Sequence, residues 1–314
     1  MILLMYEPVP DHFTKLKQIA PHHEISWVST ENEAQELIRT AEIVLGNRFF
    51  LQSLPYAENL RWMQSNSVGV DLILHQKNVL IKKNIILTCA KGVYDAELAE
   101  HALALLLTLF RSLHLLRDEQ NTKSWKRHRL PTLHGSRCMI VGWGSLGREI
   151  ARLIHAFGGI VSGVRNQAQD SLDGDFTVYG SNNFREQLPQ TDALIICLPK
   201  TSETHHFIGQ HELQKLPESA FVVNIGRGGT LDDNALLRQI QEGKLAGAAL
   251  DVFETEPLPA DHPMWIEPRI VVSPHVGRSL EGPAFRWQAL FEKNLERYVN
   301  GEKLLNVVDY QKGY

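Results

Sequence analysis

The sequence is poor in sulfur, with three cysteines (Cys89, Cys138 and Cys197) and five methionines in 314 residues. No pair of cysteines has CxxC spacing, and each thiol stands in or beside an apolar run. A disulfide framework and a cysteine-bound metal are therefore not expected, and buried free thiols in a reducing compartment are. A charge excess of one sign is also missing. Thirty-two Lys and Arg face 36 Asp and Glu, for a formal net charge of −4, which argues against a polyanion-binding protein. The one basic stretch, Lys123, Lys126, Arg127 and Arg129 around Trp125, reads as a solvated linker, and no nucleic-acid partner is expected. Long hydrophobic runs are lacking too: the best, Ala102 to Phe110, is too short to span a bilayer and is flanked by His101 and Arg111, so no membrane partner is expected. Met1 to Met5 forms an apolar strand with no charged region ahead of it and no cleavage site; no secretion signal is expected, and the cytoplasm is the expected location. The fourteen histidines lack metal-ligand spacing, because the pairs His22-His23 and His205-His206 are adjacent rather than i, i+4 on a helix, and no metal is expected.

What is present is enough for a large core. The chain is 43% hydrophobic and 22% charged, and its length favours two domains at roughly 100–200 residues each. Apolar runs at Ile2 to Met5, Ile25 to Val28, Ile43 to Leu45, Leu60 to Met63 and Ile85 to Leu87 predict a small parallel sheet. A long helix is expected from an N-cap at Asp95, with Glu97 and Glu100 in its first turn. Its apolar face would be Leu98, Ala102, Leu105, Leu109, Leu113 and Leu116. Further strands are expected at Ile160 to Val164, Ala193 to Leu198, Ala220 to Ile225, Gly247 to Leu250 and Ile270 to Val272, making a second, doubly wound sheet.

Between the two sheets of strands lies a glycine fingerprint, Gly142-Trp143-Gly144-Ser145-Leu146-Gly147, which follows an apolar strand and opens a helix expected over Glu149 to Phe157. The first glycine permits a tight turn, the second lets the backbone approach a pyrophosphate, and the third lets helix and strand pack closely. Unpaired N–H groups at the helix start then face the anion. A polar series follows downstream. Arg227, framed by Gly226, Gly228 and Gly229, can hold a planar carboxylate by two parallel hydrogen bonds. His275, after a strand and Pro274, is a candidate proton donor, its ordinary pKa being about 6.5. Glu256 is placed to pair with His275 and hold its charged form.

These segments together resemble the D-isomer-specific 2-hydroxyacid dehydrogenases. The resemblance rests on Ser67-Val68-Gly69-Val70-Asp71, Ala99-Glu100-His101, the glycine fingerprint, Leu198-Pro199, the Asn224 to Thr230 segment, the Asp251 to Pro257 segment and Pro274-His275, and so covers nearly the whole chain. It implies an α/β fold of two doubly wound parallel-sheet domains, a Rossmann nucleotide domain (96–283) inserted into a flavodoxin-like substrate domain (1–95 and 284–314). The tail Leu304 to Val308 would dock on the first part, and the cleft would close on substrate.

The resemblance also implies roles. Arg227 would bind the substrate carboxylate and polarise its carbonyl, His275 would protonate the nascent alkoxide, and Glu256 would sustain the imidazolium. Val68 and Gly69 would donate backbone N–H groups to the carboxylate, Leu198 and Pro199 would lie along the cofactor, and Asp251 would face the nicotinamide. At the end of the second nucleotide-domain strand, Arg165, with Asn166 beside it, stands where an acidic residue would bind the ribose of NAD. An arginine there suits a 2′-phosphate, so NADPH is expected, with NADH as the alternative. The run through Val164-Arg165 and Leu258-Pro259 to Trp265 looks most like glyoxylate and hydroxypyruvate reductases, which act on small 2-keto acids. A phosphoglycerate dehydrogenase-like enzyme and a dinucleotide-sensing binding protein are the alternatives, and a homodimer through the nucleotide domain is implied.

Overall fold

The computed structural model describes residues 1–128, 130–167, 169–278 and 285–314. The chain divides into two compact units, Met1–Tyr94 with Glu281–Tyr314, and Asp95–Leu280. The boundary expected at 283/284 and the expected first residue of the last helix, Ala284, lie outside the described residues.

The first unit is a five-stranded sheet of β1 (Ile2–Leu4), β2 (Ile25–Trp27), β3 (Ile43–Leu45), β4 (Trp62–Gln64) and β5 (Ile86–Thr88). Every pairing is parallel, and the spatial order is β2-β1-β3-β4-β5, which is the flavodoxin-like order. Alternation along each strand sorts the side chains. Ile2, Leu4, Ile43, Leu45 and Trp62 line one face, while Leu3, Val44, Met63 and Leu87 line the other. Both faces are covered, so the strands read as unbroken apolar runs. The helix Phe285–Val299 brings Phe291 and Leu295, both fully buried, to the Ile2 face; each such burial contributes about 1.5–3 kcal/mol. A buried polar chain pins this helix to the sheet. Asn294 donates to Gln64 Oε1 at 2.8 Å, Thr88 to the same oxygen at 2.7 Å, and Trp62 Nε1 to Thr88 at 2.8 Å. The tail docks as an edge segment, with Val308 N donating to Leu87 O at 2.8 Å.

The second unit carries an eight-stranded sheet in the order β13-β12-β11-β10-β6-β7-β9-β8. Its strands are β6 (Arg137–Val141), β7 (Ile160–Arg165), β8 (Ser171–Asp173), β9 (Phe176–Gly180), β10 (Ala193–Ile196), β11 (Phe221–Asn224), β12 (Gly247–Leu250) and β13 (Ile270–Val272). All pairings are parallel except β8 with β9. The order reverses between β6 and β10, the switch point outside which ligands bind in such sheets.

Three expectations are corrected here. The long helix from Asp95 ends at Phe110; Ser112 takes a left-handed φ of 49°, and a second helix, Leu113–Asn121, departs at 63°. Leu113 is consequently 51% exposed instead of continuing the buried face of Ala102, Leu105 and Leu109. The fingerprint helix starts at Ser145 rather than Glu149. The hairpin β8–β9 was not foreseen, because Ser-Leu-Asp and Phe-Thr-Val-Tyr-Gly alternate polar and apolar residues at the sheet edge and form no apolar run.

No single helix among the described residues is long and apolar enough to cross a membrane. The bent pair Asp95–Phe110 and Leu113–Asn121 passes by length and composition only. The first of these packs Ala99, Ala102, Leu106 and Leu109 into the core against β6 and β11.

Candidate active site

The glycines of the fingerprint divide their work. Gly142 has φ +114°, and a Cβ there would meet the Cys197 carbonyl oxygen at 2.7 Å, the price of bringing the loop after β6 against β10. A Cβ on Gly147 would meet Gly142 O at 2.3 Å, so the helix packs directly on the turn. Among the described residues, Gly144 has nothing within 4 Å of its Cβ position, and it caps the helix Ser145–Ala156 without a side-chain hydrogen bond. Open space in front of an uncapped helix start fits a dinucleotide pyrophosphate.

Trp143, expected as part of the cofactor loop, turns its ring into the core. Its ring is 4% exposed, lies edge-on to Phe176 at 5.6 Å, and donates from Nε1 to Asp173 Oδ2 at 2.7 Å. A Cβ on Gly163 would stand 2.0 Å from the indole, so Trp143 and Gly163 form one packing unit. Asp173 also receives Arg148 Nε at 2.5 Å. The Arg148 and Trp143 hydrogen bonds, with Arg165 nearby, hold its carboxyl below the usual range. Arg165 and Asn166 stand exposed at the carboxyl end of β7, and Ser145 and Leu146 are half-buried in the first helical turn. Leu198 and Pro199 follow β10, and a Cβ on Gly226 would come within 2.7 Å of both the nitrogen and the oxygen of Leu198.

Arg227 follows β11 and is half-buried, and it donates to Gly226 O at 2.8 Å. Gly228, next in sequence, lies so close to Phe253 that a Cβ would stand 1.7 Å from that carbonyl oxygen. Phe253 N in turn donates to Glu256 Oε1 at 2.9 Å. The Arg227 loop and the Glu256 loop are thus stacked backbone on backbone, a contact only glycine permits.

Glu256 and His275 meet: His275 Nδ1 lies 2.8 Å from Glu256 Oε2. A carboxylate only accepts, so Nδ1 carries the proton, and the other ring nitrogen, Nε2, is left for a substrate. The imidazole is 49% exposed, and His275 adopts φ +54°, a left-handed conformation rare outside glycine.

That conformation is held from behind by Asp251, which accepts from the backbone just after His275. The Asp251 side chain is 2% exposed. Its Oδ1 accepts from Ser273 Oγ at 2.5 Å, His101 Nε2 at 3.1 Å and Val276 N at 3.0 Å, and its Oδ2 accepts from Gly277 N at 3.0 Å. Burial pushes its carboxyl up, but the bonds from His101, Ser273, Val276 and Gly277 outweigh this and hold it below the usual range. Four hydrogen bonds converge on it, three on Oδ1 and one on Oδ2, and it acts as the anchor of the loop that presents His275. Sequence reasoning did not assign His101 and Ser273, its partners, to this anchor. Their signal was present only as Ala99-Glu100-His101 and as the serine two residues before the histidine.

Val68 and Gly69 stand in the first unit, in the loop after β4. The neighbouring turn is tied by Ser67 N to Ser65 Oγ at 3.0 Å and by Asn47 Nδ2 to Ser67 Oγ at 3.0 Å.

Comparison with known proteins identifies the family. Residues 103–277 match the model of the D-isomer specific 2-hydroxyacid dehydrogenase NAD binding domain. A glyoxylate/hydroxypyruvate reductase B from Pectobacterium carotovorum is 31% identical over 285 residues, 87% of each chain. A D-3-phosphoglycerate dehydrogenase from Methanocaldococcus jannaschii is 26% identical over 98% of this chain, which spans only 59% of that protein's length. Among solved structures, a D-isomer specific 2-hydroxyacid dehydrogenase family protein from Aeromonas salmonicida superposes with TM-score 0.85 at 31% identity, covering 98% of both chains. An NADPH-dependent glyoxylate/hydroxypyruvate reductase from Sinorhizobium meliloti, solved with NADP and sulfate, superposes with TM-score 0.85 at 23% identity, covering 100% of this chain and 99% of its own.

Proposed function

Because the chain belongs to the D-isomer specific 2-hydroxyacid dehydrogenases, which are NAD(P)-dependent oxidoreductases, we propose that it reduces a small 2-keto acid of the glyoxylate or hydroxypyruvate type to the D-2-hydroxy acid. The observation that carries the reading is the 2.8 Å pair between His275 Nδ1 and Glu256 Oε2, locked through Phe253 to the glycine-framed loop of Arg227.

Gly142, Gly144 and Gly147 would hold a nicotinamide dinucleotide, which would supply the hydride. Arg227 binds the substrate carboxylate and draws electron density from the adjacent carbonyl. His275, protonated at both nitrogens, gives its Nε2 proton to the oxygen on which negative charge develops. Glu256 stabilises the imidazolium before that transfer and keeps the ring aimed. Asp251, His101 and Ser273 are proposed to position the loop, and Asp251 is proposed, on the family resemblance alone, to face the nicotinamide. The backbone N–H groups of Val68 and Gly69 are proposed as further donors to the carboxylate, on the family resemblance alone.

NADPH is the proposed cofactor. Arg165, exposed at the end of β7, suits a 2′-phosphate, and the Sinorhizobium meliloti reductase named above was solved with NADP. Leu198, Pro199 and Asn166 are proposed along its length. We further propose a homodimer through the second unit, supported by apolar side chains left in solvent at Leu113 and Trp125, 51% and 96% exposed. The cytoplasm is the proposed location, on three cysteines that are all free.

The test is oxidation of NADPH, and separately of NADH, followed by absorbance with glyoxylate, hydroxypyruvate, 3-phosphohydroxypyruvate, pyruvate and phenylpyruvate. Fast turnover of one of the first two acids with NADPH is expected. Preference for the phosphorylated acid with NADH would establish the phosphoglycerate reading instead. Tight NADPH binding with no turnover of any acid would overturn the reductase in favour of a dinucleotide sensor.

A further inference from the structure

The adjacent pair His205-His206 lies in the turn after β10, outside the machinery described above, and its spacing gave no reason to expect a metal. Folding adds a third ligand from far along the chain. His206 Nε2 lies 3.2 Å from Glu254 Oε2, and ligand atoms of His205, His206 and Glu254 all lie within 4.8 Å of one another. Two ligand atoms on one tetrahedral zinc, with bonds near 2.0–2.2 Å, stand about 3.3 Å apart, so the His206–Glu254 separation already matches.

The histidines are also prepared for coordination. Both are organised by one acceptor, the Gly229 carbonyl, which takes His206 N at 2.7 Å and His205 Nδ1 at 3.1 Å. A carbonyl only accepts, so His205 Nδ1 carries the proton and its Nε2 presents a lone pair, the arrangement in which a carbonyl fixes the tautomer of a metal-bound imidazole. The rings stack at 4.1 Å with 28° between planes, on the same side of the turn.

A second observation points to a cation. Asp233 is 7% exposed, and its Oδ1 is buried with no hydrogen-bond partner among the described residues. Its Oδ2 accepts from Glu254 N at 3.0 Å. A buried, incompletely satisfied carboxylate is thus bonded to the backbone of the residue whose own carboxylate meets His206. A lone ion pair at this site would leave that buried oxygen uncompensated.

We propose that His205, His206 and Glu254 bind one divalent transition-metal ion of the zinc type, with Asp233 as the buried counter-charge behind it. The ion staples three segments: the turn after β10, the Gly228-Gly229 backbone beside Arg227, and the loop from Phe253 to Glu256. Glu254 and Gly229 each lie two residues from a proposed active-site side chain, so the staple makes the loops of the site rigid without touching substrate. Three protein ligands leave a fourth position for water.

The experiment uses the full, tag-free chain, stripped with chelator and titrated with zinc chloride by calorimetry; cobalt(II) chloride is then added for its visible spectrum. Uptake of one zinc per chain, with the intense visible bands of tetrahedral cobalt, is expected. His206→Ala and the nearly isosteric Glu254→Gln should each weaken uptake by at least about 10-fold, with circular dichroism unchanged. His22→Ala/His23→Ala should bind as the parent does. Failure of the parent chain to take up zinc would overturn the proposal, as would equal uptake by the parent, His206→Ala and Glu254→Gln, which would assign the binding to other histidines. If His206→Ala does not fold, Glu254→Gln alone decides the matter.

Discussion

Replacing Asp251 with asparagine tests the idea that the loop of His275 hangs on one buried carboxylate. The best orientation of the amide keeps its oxygen on Ser273, His101 and Val276 and turns its NH₂ toward Gly277 N, 3.0 Å away, donor against donor. Leaving that buried N–H without an acceptor costs about 1–3 kcal/mol, and reducing three charge-assisted bonds to neutral ones costs about 1 kcal/mol or more, so a total of about 2–5 kcal/mol is expected. For a unit of this size each kcal/mol moves the melting midpoint by about 2–4 °C, which puts the expected fall in Tm at about 4–20 °C. The pH dependence provides an internal control. The carboxyl of Asp251 lies below its usual range in the folded chain. Its contribution is therefore full above the unfolded value near 4, and is lost as pH falls through the lower folded value. Asparagine does not titrate, so the stability gap between parent and variant should be widest at neutral pH and close on acidification. Thermal melts from neutral pH to pH 3, with kcat and KM measured alongside, form the assay. With the loop displaced, kcat should fall more than the KM for cofactor rises. A variant with parental Tm and kcat at neutral pH, or a gap that widens in acid, would refute the anchor.

Three further outcomes are expected. His275→Ala should lower kcat by about 10²–10⁴-fold with NADPH binding by fluorescence unchanged; near-parental turnover would remove His275 as the acid. Arg165→Asp should raise the KM for NADPH by about 10–100-fold, the loss of one charge-assisted contact, and leave NADH use little changed; an unaltered preference would place the 2′-phosphate elsewhere. Burial pushes the thiols of Cys138 and Cys197 up to about 12 and raises that of Cys89, so a thiol reagent at pH 8 should react slowly with the folded chain and with all three cysteines after guanidinium unfolding. Rapid native labelling at Cys197 would show that the turn at Gly142 opens in solution.

The parallel core was legible in the sequence because it is written in local signals. Ile43–Leu45, Gly247–Leu250 and Ile270–Val272 occur as strands at the predicted residues, since a strand covered on both faces must be apolar throughout. The glycine fingerprint was legible for a similar reason: its turn, its close approach and its helix start follow one another within six residues. The hairpin β8–β9 escaped notice because an edge strand needs no apolar run. The break at Ser112 escaped because helical periodicity continues in the sequence across a residue whose left-handed φ the tertiary structure imposes.

Within the site, residue type marked Arg227, Glu256 and His275 as candidates, but contact was not written there. Glu256 is 19 residues from His275, His101 is 150 from Asp251, and His206 is 48 from Glu254. Their meeting depends on which strand lies beside which, and in what register. The sequence by itself determined which segments bury themselves, where the chain can turn tightly and which side chains carry chemistry, because these follow from hydrophobicity, glycine geometry and side-chain functional groups. Only the tertiary structure decided that the ring of Trp143 packs inward, that Asp251 anchors a loop, and that His206 meets a carboxylate beside His205. Each of those outcomes depends on the side chains that long-range packing brings together, and no local sequence pattern encodes them.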